Sequence, residues 1–181
     1  MKRLVLLRHA KSSWDDPALR DHQRPLAPRG IRAASEMARW LARHDYVPHR
    51  VLCSDAVRTR QTWALMADLV GGASPPPDLS IEPDLYLASP REIRRLVAER
   101  ADDADVLMVI GHNPGMHDLA LALAQPGSSD TDERLARKFP TGAAAVLDFD
   151  VDHWSELRPG AGRLEAFVRP KDLPRATDLR L

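Results

Sequence analysis

Apolar residues alternate along this chain between short unbroken runs and longer stretches with helical spacing. Residues 4–7 (LVLL) form a continuous apolar run, as expected of a strand buried on both faces of a parallel sheet. Residues 28–44 carry Ile31, Ala34, Ala38 and Leu41 near helical spacing. Residues 50–53 (RVLC) predict a second strand. Ser54 and Asp55 are cap candidates for a helix reaching about Val70, which Gly71-Gly72 ends ahead of a loop at Pro75-Pro76-Pro77. Ser89-Pro90-Arg91-Glu92 reads as a capping box with proline at the first helical position, for a helix to about Arg100. Residues 106–110 (VLMVI) predict a buried strand. It turns through Gly111-His112-Asn113-Pro114 into a helix capped by Asn113, with Met116, Leu119, Ala120 and Leu123 on one face. Residues 126–131 read as a polar loop and 132–138 as a short helix; 143–149 and 164–168 read as strands around a connection at 154–162. The alternation predicts an α/β fold: a three-layer α/β/α sandwich, its central sheet mostly parallel, with one antiparallel strand near the C-terminus. One domain is expected over residues 1–170, followed by a loosely held tail at 171–181.

Ligands of open α/β sheets collect beyond the carboxyl ends of the strands. The first strand ends in Arg8-His9, the second runs into Ser54-Asp55-Ala56-Val57-Arg58, and the 106–110 strand runs into Gly111-His112-Asn113-Pro114. An arginine closing an apolar strand is costly unless something anionic meets it. Arg58 falls in the first turn of its helix, where the helix dipole favours negative charge. An anionic ligand resolves both conflicts, since guanidinium forks and helix N-termini both favour phosphate. Taken singly, each residue has an ordinary structural explanation: an ion pair for Arg8, a hydrogen-bonded histidine at 9, a surface position for Arg58, a turn at 111–114. Taken together at strand ends, Arg8, His9, Arg58 and His112 point to one phosphoryl-binding pocket.

Composition narrows the alternatives. The 181 residues are 44% hydrophobic, enough for a sizeable core, and 26 Lys+Arg balance 26 Asp+Glu. No net field draws such a chain to nucleic acid or membrane, and the basic and aromatic residues form no nucleic-acid stripe. Cys53 is the one cysteine, so no internal disulfide forms. The apolar run at the N-terminus is too short for a signal peptide and breaks at Arg8, and no run approaches the ~20 residues of a membrane span. A soluble cytoplasmic protein is expected. The seven histidines show no H-E-x-x-H arrangement, and His112 and His117 diverge on a helix, so neither a metal nor another cofactor is expected.

The stretches "LLRHAKSSW", "SDAVRTRQT" and "VIGHNPG" resemble, in order and spacing, the signature of the histidine phosphatase superfamily, whose fold is phosphoglycerate mutase-like. "DHQRPLAPRG" and "FPTGAAAVLDF" are similar to its small SixA-type phosphohistidine phosphatases, and the resemblance extends to about residue 170. It implies His9 as the nucleophile, forming a phosphohistidine intermediate, with Arg8, Arg58 and His112 binding the phosphoryl oxygens. The sequence departs from the wider family at Ala10, where glycine is usual, and at Asp15, where a phosphate-contacting asparagine is common; a carboxylate would repel phosphate, so that role is not carried over. The general acid that larger members supply after the third strand has its nearest match in Asp84 of "IEPDLYLASP", with Glu82 as the neighbouring alternative. Arg24, with Arg29, is expected at the rim of the pocket as a substrate-binding residue.

An imidazole leaving from phosphohistidine needs less help from an acid than an alkoxide does. The sequence therefore predicts a metal-independent phosphatase acting on protein phosphohistidine. The alternatives are a phosphatase of the same chemistry acting on small phosphoesters, and a non-catalytic phosphate-binding module. The expected partner is a phosphorylated protein or a small phosphoester, with neither nucleic acid nor membrane.

Overall fold

The computed structural model describes residues 1–70 and 75–174. Six strands form one sheet: β1 (Lys2–Arg8), β2 (Arg50–Ser54), β3 (Asp78–Glu82), β4 (Val106–Gly111), β5 (Ala144–Phe149) and β6 (Arg163–Val168). Their order across the sheet is β3-β2-β4-β1-β5-β6. β3, β2, β4 and β1 run parallel; β5 is antiparallel to both β1 and β6 and is thus the one reversed strand of the sheet. Five helices accompany them: α1 (Pro28–Arg43), α2 (Val57–Val70), α3 (Pro90–Arg100), α4 (Gly115–Leu123) and α5 (Asp130–Arg137).

The period-two geometry of β1 sends Leu4 and Leu6 to one core and Val5 and Leu7 to the other. The first core is closed by α3, α4 and α5 through Ile93, Leu96, Met116, Leu119 and Leu135, and the second by α1 and α2 through Ala34, Met37, Leu41, Trp63 and Met66. Both faces of the central strands are therefore covered, which is why their sequences read as unbroken apolar runs. Burial of each such side chain is worth about 1.5–3 kcal/mol. The four in β1 together outweigh the several kcal/mol of holding a half-desolvated guanidinium at the strand's end.

Several local expectations change. Ile31 is 44% exposed, because α1 turns Gly30, Ala34, Met37, Ala38 and Leu41 to the core instead. Asn113 does not cap α4: Pro114 precedes the helix as its N-cap, and the Asn113 side chain donates from Nδ2 to the Phe139 carbonyl at 2.8 Å. α5 starts two residues earlier than expected because Ser129 and Asp132 form the capping box. The proposed helix stop at Gly71-Gly72 lies outside the described residues. Leu173 packs into the α1-side core, past the expected boundary at residue 170; residues 175–181 of the expected tail lie outside the described residues.

Two close approaches set the loops at the end of β1. The Lys11 carbonyl accepts from Ala27 N at 2.8 Å, and a Cβ on Gly30 would lie 2.2 Å from that same oxygen. Gly142, at φ +76°, donates its N–H to the carbonyls of Arg8 (3.1 Å) and His9 (2.9 Å), closing the turn before β5 over the end of β1. Gly30→Ala is expected to cost about 1–3 kcal/mol, as overpacking does elsewhere. The check is a lower urea midpoint at unchanged slope.

Candidate active site

β2, β4 and β1 are consecutive in the sheet and parallel, so their carboxyl ends form a row with neighbours about 4.8 Å apart. The register pairs Arg8 with Gly111 and Cys53 with Ile110. His9, Ser54 and His112, each at or just past its strand's last residue, therefore meet at one edge of the sheet. α2 starts at Val57, which brings Arg58 in its first turn back over the same edge. An open cleft of about 240 Å³ results, lined by Arg8, His9, Asp21, Arg58, His112 and Asn113 among others. The four residues singled out from the sequence are thus brought together, with the His9 and His112 rings 5.3 Å apart between centroids.

Hydrogen bonds assign the tautomers. His9 Nδ1 lies 2.7 Å from the Ala10 carbonyl, which can only accept, so Nδ1 carries the hydrogen and Nε2 keeps its lone pair. Ala10 N is in turn anchored at 3.1 Å on Thr62 Oγ1 of α2. His112 is the converse. An Arg58 guanidinium N–H donates to its Nδ1 at 3.3 Å, so Nε2 carries the hydrogen and donates to Ser54 Oγ at 2.8 Å.

Two guanidiniums face the cleft with different support. Arg8 donates to the Phe139 carbonyl at 3.0 Å, and its buried Nε has no protein partner among the described residues. Arg58 is buried and donates to the Asp21 carbonyl (2.6 Å) and to Asp21 Oδ2 (2.9 Å), while Tyr86 Oη donates to Oδ2 at 2.6 Å. Burial, and then the charge of Arg58, lowers the pKa of Arg8. Burial first, with Arg58 and Arg8 adding to it, pushes the His9 imidazole down to about 4, although the bond to the Ala10 carbonyl opposes the shift. Burial followed by the neighbouring His9 and Arg58 takes His112 to about 3. The Tyr86 hydroxyl, and then Arg58, hold Asp21 below the usual carboxylate range. The cleft therefore combines the guanidiniums of Arg8 and Arg58, the Lys11 side chain, two neutral imidazoles and one ionised carboxylate near neutral pH.

The structure does not bring Asp84 to this cleft. It sits in the one-turn 3-10 helix Pro83–Leu85, and its exposed carboxylate lies 3.6 Å from the Arg95 guanidinium. Glu82 accepts from Ser80 Oγ at 2.6 Å at the end of β3 and does not line the cleft. Arg24 also stays out: its guanidinium packs 3.9 Å above the Trp14 ring, and Trp14 is the residue at the rim. Arg29 lines an adjoining cavity. Sequence reasoning missed Asp21 and Tyr86. Asp21 belongs to the "DHQRPLAPRG" stretch, but nothing local separates it from Asp15 and Asp16. Among the described residues no group of three or more His, Cys, Asp and Glu side chains is arranged to hold a metal ion, and no helix is long and apolar enough to cross a membrane.

Both imidazoles are buried neutral, whereas an unfolded histidine titrates near 6.5. As pH falls below 6.5 the unfolded chain takes up protons first, so stability present above that pH is lost progressively towards pH 4 for His9 and on towards pH 3 for His112. The melting temperature should fall across this window, and His9→Asn should flatten part of the fall; calorimetry at several pH values checks both.

The histidine phosphatase superfamily (branch 1) model matches residues 4–85. An uncharacterized protein of Mycobacterium tuberculosis (strain H37Rv) is 38% identical over 167 residues, covering 91% of this chain and 100% of that protein. Among solved structures, a Nakamurella multipartitia protein described provisionally as phosphohistidine phosphatase SixA is 33% identical, with a TM-score of 0.79 over 93% of this chain and 96% of the other. One from Agrobacterium tumefaciens, with the same provisional description, is 30% identical, with a TM-score of 0.75 over 93% and 98%. With its fold, its strand-end chemistry and these relatives in agreement, the chain belongs to the histidine phosphatase superfamily.

Proposed function

We propose that the protein is a phosphatase that hydrolyses protein phosphohistidine through a phosphoryl intermediate on His9, without a metal. The observation that carries the choice of substrate is the state of Asp21. Among the described residues it is the one carboxylate lining the cleft, and Tyr86 and Arg58 keep it ionised. A leaving alkoxide needs a proton that such a group does not hold. A substrate imidazole protonated on its far nitrogen needs none, because it departs as a neutral ring. The relatives described provisionally as SixA phosphohistidine phosphatases support the same substrate class.

The chemistry follows from the tautomers. Nε2 of His9 attacks phosphorus as the P–N bond of the substrate breaks, and that bond's electron pair leaves with the substrate ring. Nδ1–H of His9, held by the Ala10 carbonyl, shares the positive charge that develops on the phosphorylated ring. Arg8 and Arg58 stabilise the equatorial oxygens, which include the natural partner for the otherwise unpaired Nε of Arg8. A phosphoryl dianion beside His112 favours its protonation, so Nδ1 changes from acceptor to donor towards the phosphoryl oxygens. Water then attacks phosphorus as the P–Nε2 bond breaks; that bond's electron pair returns to Nε2 of His9, and both water protons leave on the product phosphate, which gives one up to solvent.

Incubation with a ³²P-labelled phosphohistidine protein should leave an acid-labile phosphoryl group on the wild type and none on His9→Ala. The variant's turnover should fall on the order of 10³-fold or more. Arg58→Ala should lose about 10²–10³-fold, as removal of a charge-stabilising donor does. Higher kcat/KM on sugar phosphates or nucleotides than on the phosphohistidine protein would move the assignment to small phosphoesters. Phosphate or vanadate binding without any turnover would make the protein a binding module.

A further inference from the structure

Beside the phosphoryl cleft lies a second open cavity of about 280 Å³, lined by Lys11, Arg29, Pro140, Thr141, Arg169 and Lys171 among others. Lys11 and Thr141 also line the first cleft, so the two share a wall. Among the described residues no acidic side chain lines the second cavity. Arg169 is neutralised by two 2.8 Å hydrogen bonds to the Asp172 carboxylate. Lys11, Arg29 and Lys171 have no carboxylate within ion-pair distance among the described residues. We propose that this cavity is an anion-binding subsite of the active site, and that it receives an acidic side chain flanking the phosphohistidine of the protein substrate. The inference rests on the proposed function for the identity of the reacting group.

The three cations come from separate parts of the chain, yet their backbones are tied to one another. The Lys11 carbonyl is pinned by Ala27 N, and the close approach of Gly30 sets the first turn of α1, which carries Arg29, against the Lys11 backbone. That turn contains no acid, so Arg29 stands where the helix's own field disfavours a cation, as Arg58 does in α2. On the other side, the ring of Pro170 packs close to Gly142, and Asp172 caps the 3-10 turn Pro170–Asp172 by accepting from Arg169 N at 3.0 Å. Like charges held on a common wall repel one another, and an incoming anion relieves that repulsion. Arg29 and Lys171 are exposed and Lys11 is half-buried, so each contact is weak and salt-sensitive. The effect is therefore one of substrate preference.

The test compares three phosphohistidine peptides that differ only in Glu, Gln or Lys at the positions flanking the phosphohistidine, with the Glu-to-Gln ratio read first. Wild type should prefer the Glu peptide by about tenfold in kcat/KM, through KM, and the preference should shrink in high salt. Arg29→Gln/Lys171→Gln should bring the ratio close to one. Arg29→Glu/Lys171→Glu should reverse it towards a Lys-flanked peptide, and continued turnover of the Gln peptide shows that each variant is folded. Equal kcat/KM on the Glu and Gln peptides in wild type, or a preference that survives both double variants, would overturn the subsite. If no phosphohistidine peptide is hydrolysed while phosphomonoesters are, the proposed function fails. Esters with and without a second carboxylate or phosphate then read the cavity separately. Dependence of their ratio on Arg29 and Lys171 would assign the second anion to a small molecule and overturn the acidic-protein assignment.

Discussion

Arg8 and Arg58 hold two guanidiniums towards one low-dielectric cleft, and the rest of the site follows from that repulsion. Like charges in such a place are tolerated when the surrounding structure anchors each one and leaves room for an anion between them. Arg8 is anchored by the Phe139 carbonyl, Arg58 by both the backbone and the carboxylate of Asp21. The same positive field, added to burial, keeps His9 and His112 neutral. One electrostatic arrangement thus makes the cleft complementary to an anion and leaves His9 Nε2 with a free lone pair.

Asp21 is the counterweight in this arrangement. Its carboxylate occupies the Arg58 guanidinium and is itself held by Tyr86, whose ring lies edge-on to His112 at 5.3 Å. The Asp21 ion pair lowers the cost of holding Arg58 buried. On the proposed function, an incoming phosphoryl group competes with this internal anion for Arg58, and a dianion competes better than a carboxylate because it brings more charge and more acceptor oxygens to the same fork.

The precision of the site comes from the sheet. β2, β4 and β1 deliver their last residues to one edge, and the turn ending at Gly142 clamps the Arg8 and His9 carbonyls from the β5 side. Phe139 ties this turn to the site twice, since its carbonyl accepts from both Arg8 and Asn113. The backbone at Lys11 is fixed by α1 across Gly30. The cleft and the basic cavity beside it therefore share walls, with Lys11 and Thr141 lining both.

Much of this was legible along the chain. The buried strands β1 and β4 announced themselves as unbroken apolar runs, the start of α3 as a capping box, and Arg8, His9, Arg58 and His112 as polar residues where apolar strands or a helix dipole made them costly. These signals are local: each depends on neighbours within a turn or a pleat. Asp84, Arg24, Asn113 and Ile31 were misjudged because their positions depend on partners that are not local. Asp84 turns to Arg95, Arg24 covers Trp14, Asn113 reaches Phe139, and Ile31 lies outside the stripe that α1 packs inward. Asp21 was missed for the same reason, since among several loop acids only the approach of Arg58 and Tyr86 distinguishes it. Sequence alone singled out Arg8, His9, Arg58 and His112 as polar groups placed where an anion would offset their cost. Tertiary structure decided that the Asp21 carboxylate meets Arg58, that Arg8 meets the Phe139 carbonyl instead, and which tautomer each imidazole took, because those depend on distances between segments that pattern along a chain does not encode.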